Sequence, residues 1–252
     1  MGRHTFMEYT WNAEEIFRAA IDIMLPRECI VCGGRLLLRE KFMCIHCAGD
    51  FPYTYFWQDR HNPMADRFNA RIQEYIEEVP TREYSCAVAL FHFRHDNNYR
   101  HIPYQLKYCG NIASGRYFAG MLARRIKECT FLREIDTVIP VPLHITRKLK
   151  RGYNQAEIIA RTIADEISAE LRTDVVRRCR RTRTQTKLSV EEKAVNLRGA
   201  FAFNQRHKPF NPGHILLVDD VFTTGSTLYE CYRPLRRAFP AARISIATLA
   251  FV

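Results

Sequence analysis

At 252 residues, 47% of them hydrophobic and 26% charged, the chain has material for one large folded domain and a small module. No apolar run approaches the about 20 residues that cross a bilayer, and Met1-Gly-Arg-His-Thr5 lacks the apolar core of a signal peptide, so no membrane span and a cytoplasmic protein are expected. The net charge of +11 and a pI near 9.4 point to polyanionic partners, either nucleic acid or phosphorylated ligands.

Residues 12 to 25 carry the spacing of an amphipathic helix, with Asn12 as its cap and Pro26 as its stop. Cys29-Ile-Val-Cys32-Gly-Gly and then Cys44-Ile-His-Cys47 follow. Each C-x-x-C turn aims two thiolates at one centre, and two such turns give the tetrahedral sulfur set of a structural zinc, one per chain. A redox dithiol would need only one pair. Such a zinc ribbon has little core, so the metal supplies its folding energy.

An aromatic, irregular stretch and a helix over 65 to 78 lead to Pro80, where the domain boundary is expected: 1–80 for helix and ribbon, 81–252 for the large domain. Tyr84 to Phe93 reads as a strand and 112 to 128 as a helix. Between them Arg100, Tyr104, Lys107 and Tyr108 mix cations with rings, as single-stranded nucleic-acid binders and ordinary amphipathic surfaces both do. Asp136 to Pro142 is a parallel strand stopped by prolines, and a cationic loop containing Arg147, Lys148, Lys150 and Arg151 opens the next helix at Ala156. At the carboxyl end of a buried strand that loop can cradle pyrophosphate or another anion. Cations dominate again from Arg172 to Lys187, facing only Asp174, with Arg178, Arg180, Arg181, Arg183 and Lys187 as candidate nucleic-acid contacts.

Residues 214 to 227 organise the rest. Ile215 to Val218 form a strand buried on both faces, which ends at Asp219 and Asp220. Thr223, Thr224, Gly225, Ser226 and Thr227 then make a small hydroxylated loop at the start of a helix, a ready anion corner. The carboxylates cannot serve the same phosphate; they suit sugar hydroxyls, or magnesium bridging to a second anion. A Walker B strand is the rival, but Gly110-Asn-Ile-Ala-Ser-Gly115 is followed by Arg116-Tyr117, so no P-loop accompanies it.

This stretch resembles the signature of type I phosphoribosyltransferases. The resemblance implies an α/β fold with a parallel sheet flanked by helices. It also implies phosphoribosyl pyrophosphate (or another ribose phosphate) and magnesium as ligands, with Asp219 and Asp220 on the ribose and Thr223 to Thr227 on the 5′-phosphate. Together with the four-cysteine ribbon, Leu106-Lys-Tyr-x-Gly110, Pro140-Val-Pro-Leu-His144, Arg151-Gly-Tyr-Asn-Gln-Ala-Glu157, Gln185-Thr-x-Leu-Ser189 and Asn196-x-x-Gly-Ala-Phe201, it is similar to the ComF family over almost the full length. That family joins a zinc ribbon to a phosphoribosyltransferase-like domain and is linked to natural transformation. It implies a phosphoribosyltransferase whose acceptor no motif identifies. The alternative is a non-catalytic single-stranded DNA-binding protein, or an adaptor for a competence helicase or recombination mediator, that keeps a vestigial phosphoribosyl pocket.

Overall fold

A computed structural model describes residues 21–74, 83–179, 198–206 and 209–252. Residues 12–20 of the expected first helix lie outside these, as do Arg180, Arg181, Arg183 and Lys187. The chain divides into two compact units, the first ending at Phe51 and the second beginning at Pro52.

In the first unit the cysteine turns face each other, and an antiparallel bridge joins Glu28 to Arg35. A short helix α1 (Ile45–Gly49) follows Cys44. Arg27 ties the unit together with polar bonds: its guanidinium grips Asp22 at 2.8 and 2.6 Å and donates to the Glu40 carbonyl at 2.6 Å.

The second unit begins earlier than the expected boundary at Pro80. The reason is packing that local sequence does not reveal. Thr54 N donates to the Leu90 carbonyl at 3.2 Å, and the Phe56 ring meets Phe251 at 5.2 Å. Helix α2 (Pro63–Glu74) buries Met64, Ala65, Phe68 and Ile72 in the same core.

Five parallel strands make the sheet: β1 (Ala87–His92), β2 (Thr137–Pro140), β3 (Glu170–Leu171), and later β6 (His214–Phe222) and β7 (Arg243–Phe251). Their spatial order is β1-β7-β6-β2-β3. Strands β4 (Val176–Arg178) and β5 (Phe201–Phe203) form a separate antiparallel pair. The run Ile215 to Val218 is fully buried because both faces of the sheet are covered. Ile215 and Leu217 pack with α2 and with α7 (Ser226–Ala238), while strand parity turns Leu216 and Val218 the other way. Helix α6 (Gln155–Ile167) packs on β2 and β6 and also on α4 (Ile112–Glu128).

Two expectations change in detail. Strand β6 does not end at the carboxylates but continues to Phe222, because β7 stays paired with it through Phe222↔Phe251. The cationic loop is largely helical: α5 spans Ile145–Arg151. The His144 side chain accepts from Thr146 N at its start, and Gly152, at φ 81°, closes its end.

Candidate functional site

In the first unit the sulfurs of Cys29, Cys32, Cys44 and Cys47 all lie within 4.8 Å of one another. The Cys32 and Cys44 sulfurs are 3.8 Å apart. This matches the about 3.8 Å edge of a tetrahedron whose metal–sulfur bonds are about 2.3 Å. Backbone N–H groups already point at the sulfurs, Cys44 N to Cys29 Sγ and Gly34 N to Cys32 Sγ, each at 3.4 Å. Burial opposes the Cys29 thiolate, but the N–H groups of Cys32, Cys44 and Val31 outweigh it and bring its pKa down to about 7. The donor set fits one structural zinc.

In the second unit Asp219 and Asp220 lie where β6 loses a neighbour. Strand β2 pairs only as far as Pro140↔Val218, so the acids sit just past its end while β7 still covers their other side. Asp219 Oδ1 accepts from the Asp220 N–H at 2.9 Å. Burial raises the Asp219 pKa to about 7, the Asp220 charge adds to the rise, and the Asp220 N–H, Lys107 and Arg178 pull against it. Lys107, on α3 (His101–Tyr108), places its ammonium 3.0 Å from Asp220 Oδ2. Burial disfavours the lysine charge, and Asp220 followed by Asp219 overcomes this, leaving its pKa above the ordinary lysine value.

The hydroxylated loop is held from both ends. Gly225 adopts φ +74°, and a Cβ there would stand 2.8 Å from the Phe222 ring, so only glycine fits. Thr224 Oγ1 and Ser226 Oγ are 2.8 Å apart. From α2, Arg67 donates to the Thr223 carbonyl at 3.0 Å and Arg71 to the Thr224 carbonyl at 3.1 Å. With those carbonyls anchored, the N–H groups opening α7 stay available to an anion.

A cavity of about 750 Å³ opens over the acids, and Lys107, Arg147, Lys150, Arg151, Arg178 and Thr227 all line it. Lys148 does not line it; its ammonium lies 3.9 Å from Glu157. Arg178 stands over the Phe201 ring at 5.1 Å, and burial followed by the Arg147 charge lowers its pKa, Asp219 acting the other way. It therefore joins the anion cavity that the cationic helix forms, although the sequence had grouped it with the nucleic-acid contacts. Gln155 Nε2 is buried in this wall and has no hydrogen-bond partner among the described residues, while its Oε1 accepts from Arg151 at 3.0 Å.

Competence protein F of Haemophilus influenzae is 29% identical over 225 residues, 83% of this chain and 90% of that protein. The DNA utilization protein YhgH of Escherichia coli K12 is 34% identical over 116 residues, 46% of this chain and 50% of that protein. Competence protein ComFC of Bacillus subtilis is 30% identical over 112 residues, 44% of this chain and 43% of its own length. No family model matches the chain. These similarities support a ComF-family protein.

Three of the motifs that carry the ComF resemblance meet in space beside the acid pair, while Gln185-Thr-x-Leu-Ser189 lies outside the described residues. Leu106–Gly110 contributes Lys107 and Tyr108 to the cavity, Pro140–His144 contributes Val141, Pro142 and Leu143, and Arg151–Glu157 contributes Tyr153, Asn154 and Gln155. Asn154 donates to the Val141 carbonyl at 3.0 Å, and the Tyr153 hydroxyl to that of Leu106, which locks these segments together. Sequence reasoning missed Arg67 and Arg71 as supports of the loop and did not join Lys107 to the acids. An i, i+4 pair of arginines on a predicted helix was the available signal, but an ordinary solvated face gives the same pattern.

Proposed function

We propose that this ComF protein binds phosphoribosyl pyrophosphate with magnesium and transfers its phosphoribosyl group, in the service of DNA uptake. One observation carries the reading: an acid pair stands between a glycine-closed hydroxyl loop and a wall of five cations, Lys107, Arg147, Lys150, Arg151 and Arg178. The acids accept hydrogen bonds from ribose hydroxyls, and the α7 N–H groups with Thr223, Thr224 and Thr227 hold the 5′-phosphate. Arg147, Lys150 and Arg151 offset charge on the departing pyrophosphate. Asp219 and Asp220 would stand beside a bound magnesium, whose chemistry would be to neutralise charge on the diphosphate. The competence and DNA utilization names of the relatives support the cellular role.

Asp219→Asn combined with Asp220→Asn replaces both anionic diol acceptors by neutral amides on a strand whose core is untouched. Calorimetry is expected to show magnesium-dependent binding of phosphoribosyl pyrophosphate to wild type and none to the double variant, which still unfolds in one cooperative thermal transition. Wild type without affinity for this ligand or any ribose phosphate sinks the reading.

The net charge of +11 and the cation-rich run from Arg172 to Lys187 favour a second reading. In it, single-stranded DNA binds through Arg178, Arg180, Arg181, Arg183 and Lys187, with a competence helicase or recombination mediator as a further partner. Anisotropy of a labelled oligonucleotide across a salt series tests it.

A further inference from the structure

Among the described strands β5 pairs with β4 alone, which leaves it with an outer edge. In an antiparallel pair, residues that exchange hydrogen bonds with the partner strand alternate with residues whose N–H and C=O point away from it. Cys179 N donates to the Ala200 carbonyl and Asn204 N to the Val175 carbonyl, both at 2.8 Å. Even-numbered positions of β5 therefore face β4, and the register Arg178↔Phe201 and Val176↔Phe203 turns the odd-numbered backbone groups to the outer edge.

Along that edge runs a groove of about 740 Å³. The odd-numbered positions Gly199, Phe201, Phe203 and Gln205 line one side, and Arg233, Pro234, Arg237 and Ala238 on α7 line the other. None of the lining residues belongs to the cationic cavity. Its apolar surface comes from rings, with Phe203 and Phe239 edge to face at 5.7 Å. One end already holds the kind of bond that an added strand would make: Gly199 N donates across the groove to Glu230 Oε2 at 2.8 Å. Glu230 is itself paired with Arg233 at 3.4 Å, and Arg237 follows one turn later on α7, exposed.

We propose that the groove between β5 and α7 is a docking site for an extended peptide of a partner protein, one that carries both acidic and apolar side chains. A strand edge that faces a helix across a groove lets a peptide add as a further strand, its main chain giving affinity and its side chains giving selectivity. Main-chain groups of the peptide pair with the outer edge of β5, apolar side chains pack on the phenylalanines, and carboxylates meet Arg237 and Arg233. Charge decides among occupants. The chain's own run from Arg177 to Lys187 is cationic and opposes the two guanidiniums, and a second copy offering the same edge would bring the same two charges with it. An acidic strand has neither conflict. The site stands apart from the phosphoribosyl reading and does not depend on it.

The test uses the full chain and fluorescence anisotropy with three labelled probes. They are a peptide of alternating glutamate and valine, the same peptide with alternate amides N-methylated, and a peptide of alternating lysine and valine. The first is expected to bind saturably, and the other two at least about tenfold more weakly, because one lacks main-chain donors and the other has the wrong charge. Arg237→Glu is expected to weaken the glutamate peptide about tenfold and to tighten the lysine peptide, an exchange that a misfolded variant cannot show. Equal binding of the N-methylated peptide means attraction to the net charge of +11 alone and overturns the proposal. So does an absence of binding to wild type, or an Arg237→Glu variant with unchanged preference. A wild-type dimer whose formation excludes the glutamate peptide gives the edge to a second copy and overturns it too.

Discussion

Among the described residues up to Phe51, the buried side chains are few: Cys29, Val31, Leu36, Met43, Cys44 and Phe51, with Asp22 held by Arg27. From Pro52 onward a continuous core runs from Phe56 and Phe68 through Ala87, Ile139, Ile215 and Leu217 to Tyr232 and Phe251. The first unit closes on sulfur and polar bonds, the second on hydrocarbon. The same polypeptide therefore answers to two different reagents, a chelator for one unit and a denaturant for the other.

The largest effect expected is loss of the metal. Elemental analysis of protein purified without added metal is expected to find one zinc per chain. Its removal, or Cys32→Ser, takes away stabilisation that reaches about 10–16 kcal/mol in small zinc modules. Proteolysis between residues 21 and 51 then accelerates, while the thermal transition of the sheet unit stays in place. Metal-free protein with unchanged cleavage breaks the contrast between the units.

Much of this contrast was legible in the chain, because both signals are local. Two C-x-x-C turns and one run of four apolar residues ending in two acids need no distant partner to be read. What escaped depends on partners far along the chain. Arg67 and Arg71 reach Thr223 and Thr224 across more than 150 residues, and the stretch from Pro52 to Trp57 looks irregular until Leu90 and Phe251 are beside it. The cationic segment is helical where a loop was expected. Nothing in its charges forces a loop once His144 caps one end and Gly152 the other. The same long range hides the Lys107–Asp220 pair, which joins an α3 lysine to a β6 acid.

A smaller effect sharpens the account of the second unit, whose core ends in a carboxyl that burial penalises. Asp219 goes from 3.8 in its ordinary state to about 7 in the folded chain. Its protonated form favours folding, so that contribution is complete below 3.8 and lost as pH rises through about 7. Wild-type stability is expected to fall across this window, and Asp219→Asn to flatten the fall. Urea midpoints at pH 5 and pH 8 check it: equal changes in both proteins mean that the acid is not strained.

The smallest effect on folding is expected from replacing Arg180, Arg181 and Arg183 by alanine. The melting temperature stays, because the described core closes without them. If single-stranded DNA uses these side chains, the slope of log affinity against log salt flattens by about 0.7 for each lost phosphate contact, about two units in all. An unchanged slope moves the contacts elsewhere, and no binding at low salt removes them.

The lysine beside the acid pair makes ligand entry a trade. Asp220 already has a counter-ion, delivered by the protein and tethered to a helix, so an arriving cation or hydroxyl replaces one partner with another. The free energy of that step is the difference between two pairings, far smaller than either taken alone. The displaced ammonium remains attached and within reach of whatever negative charge the newcomer brings. Selectivity at this acid then follows from what can outcompete a neighbour that never diffuses away, and weak monovalent cations are the poorest competitors.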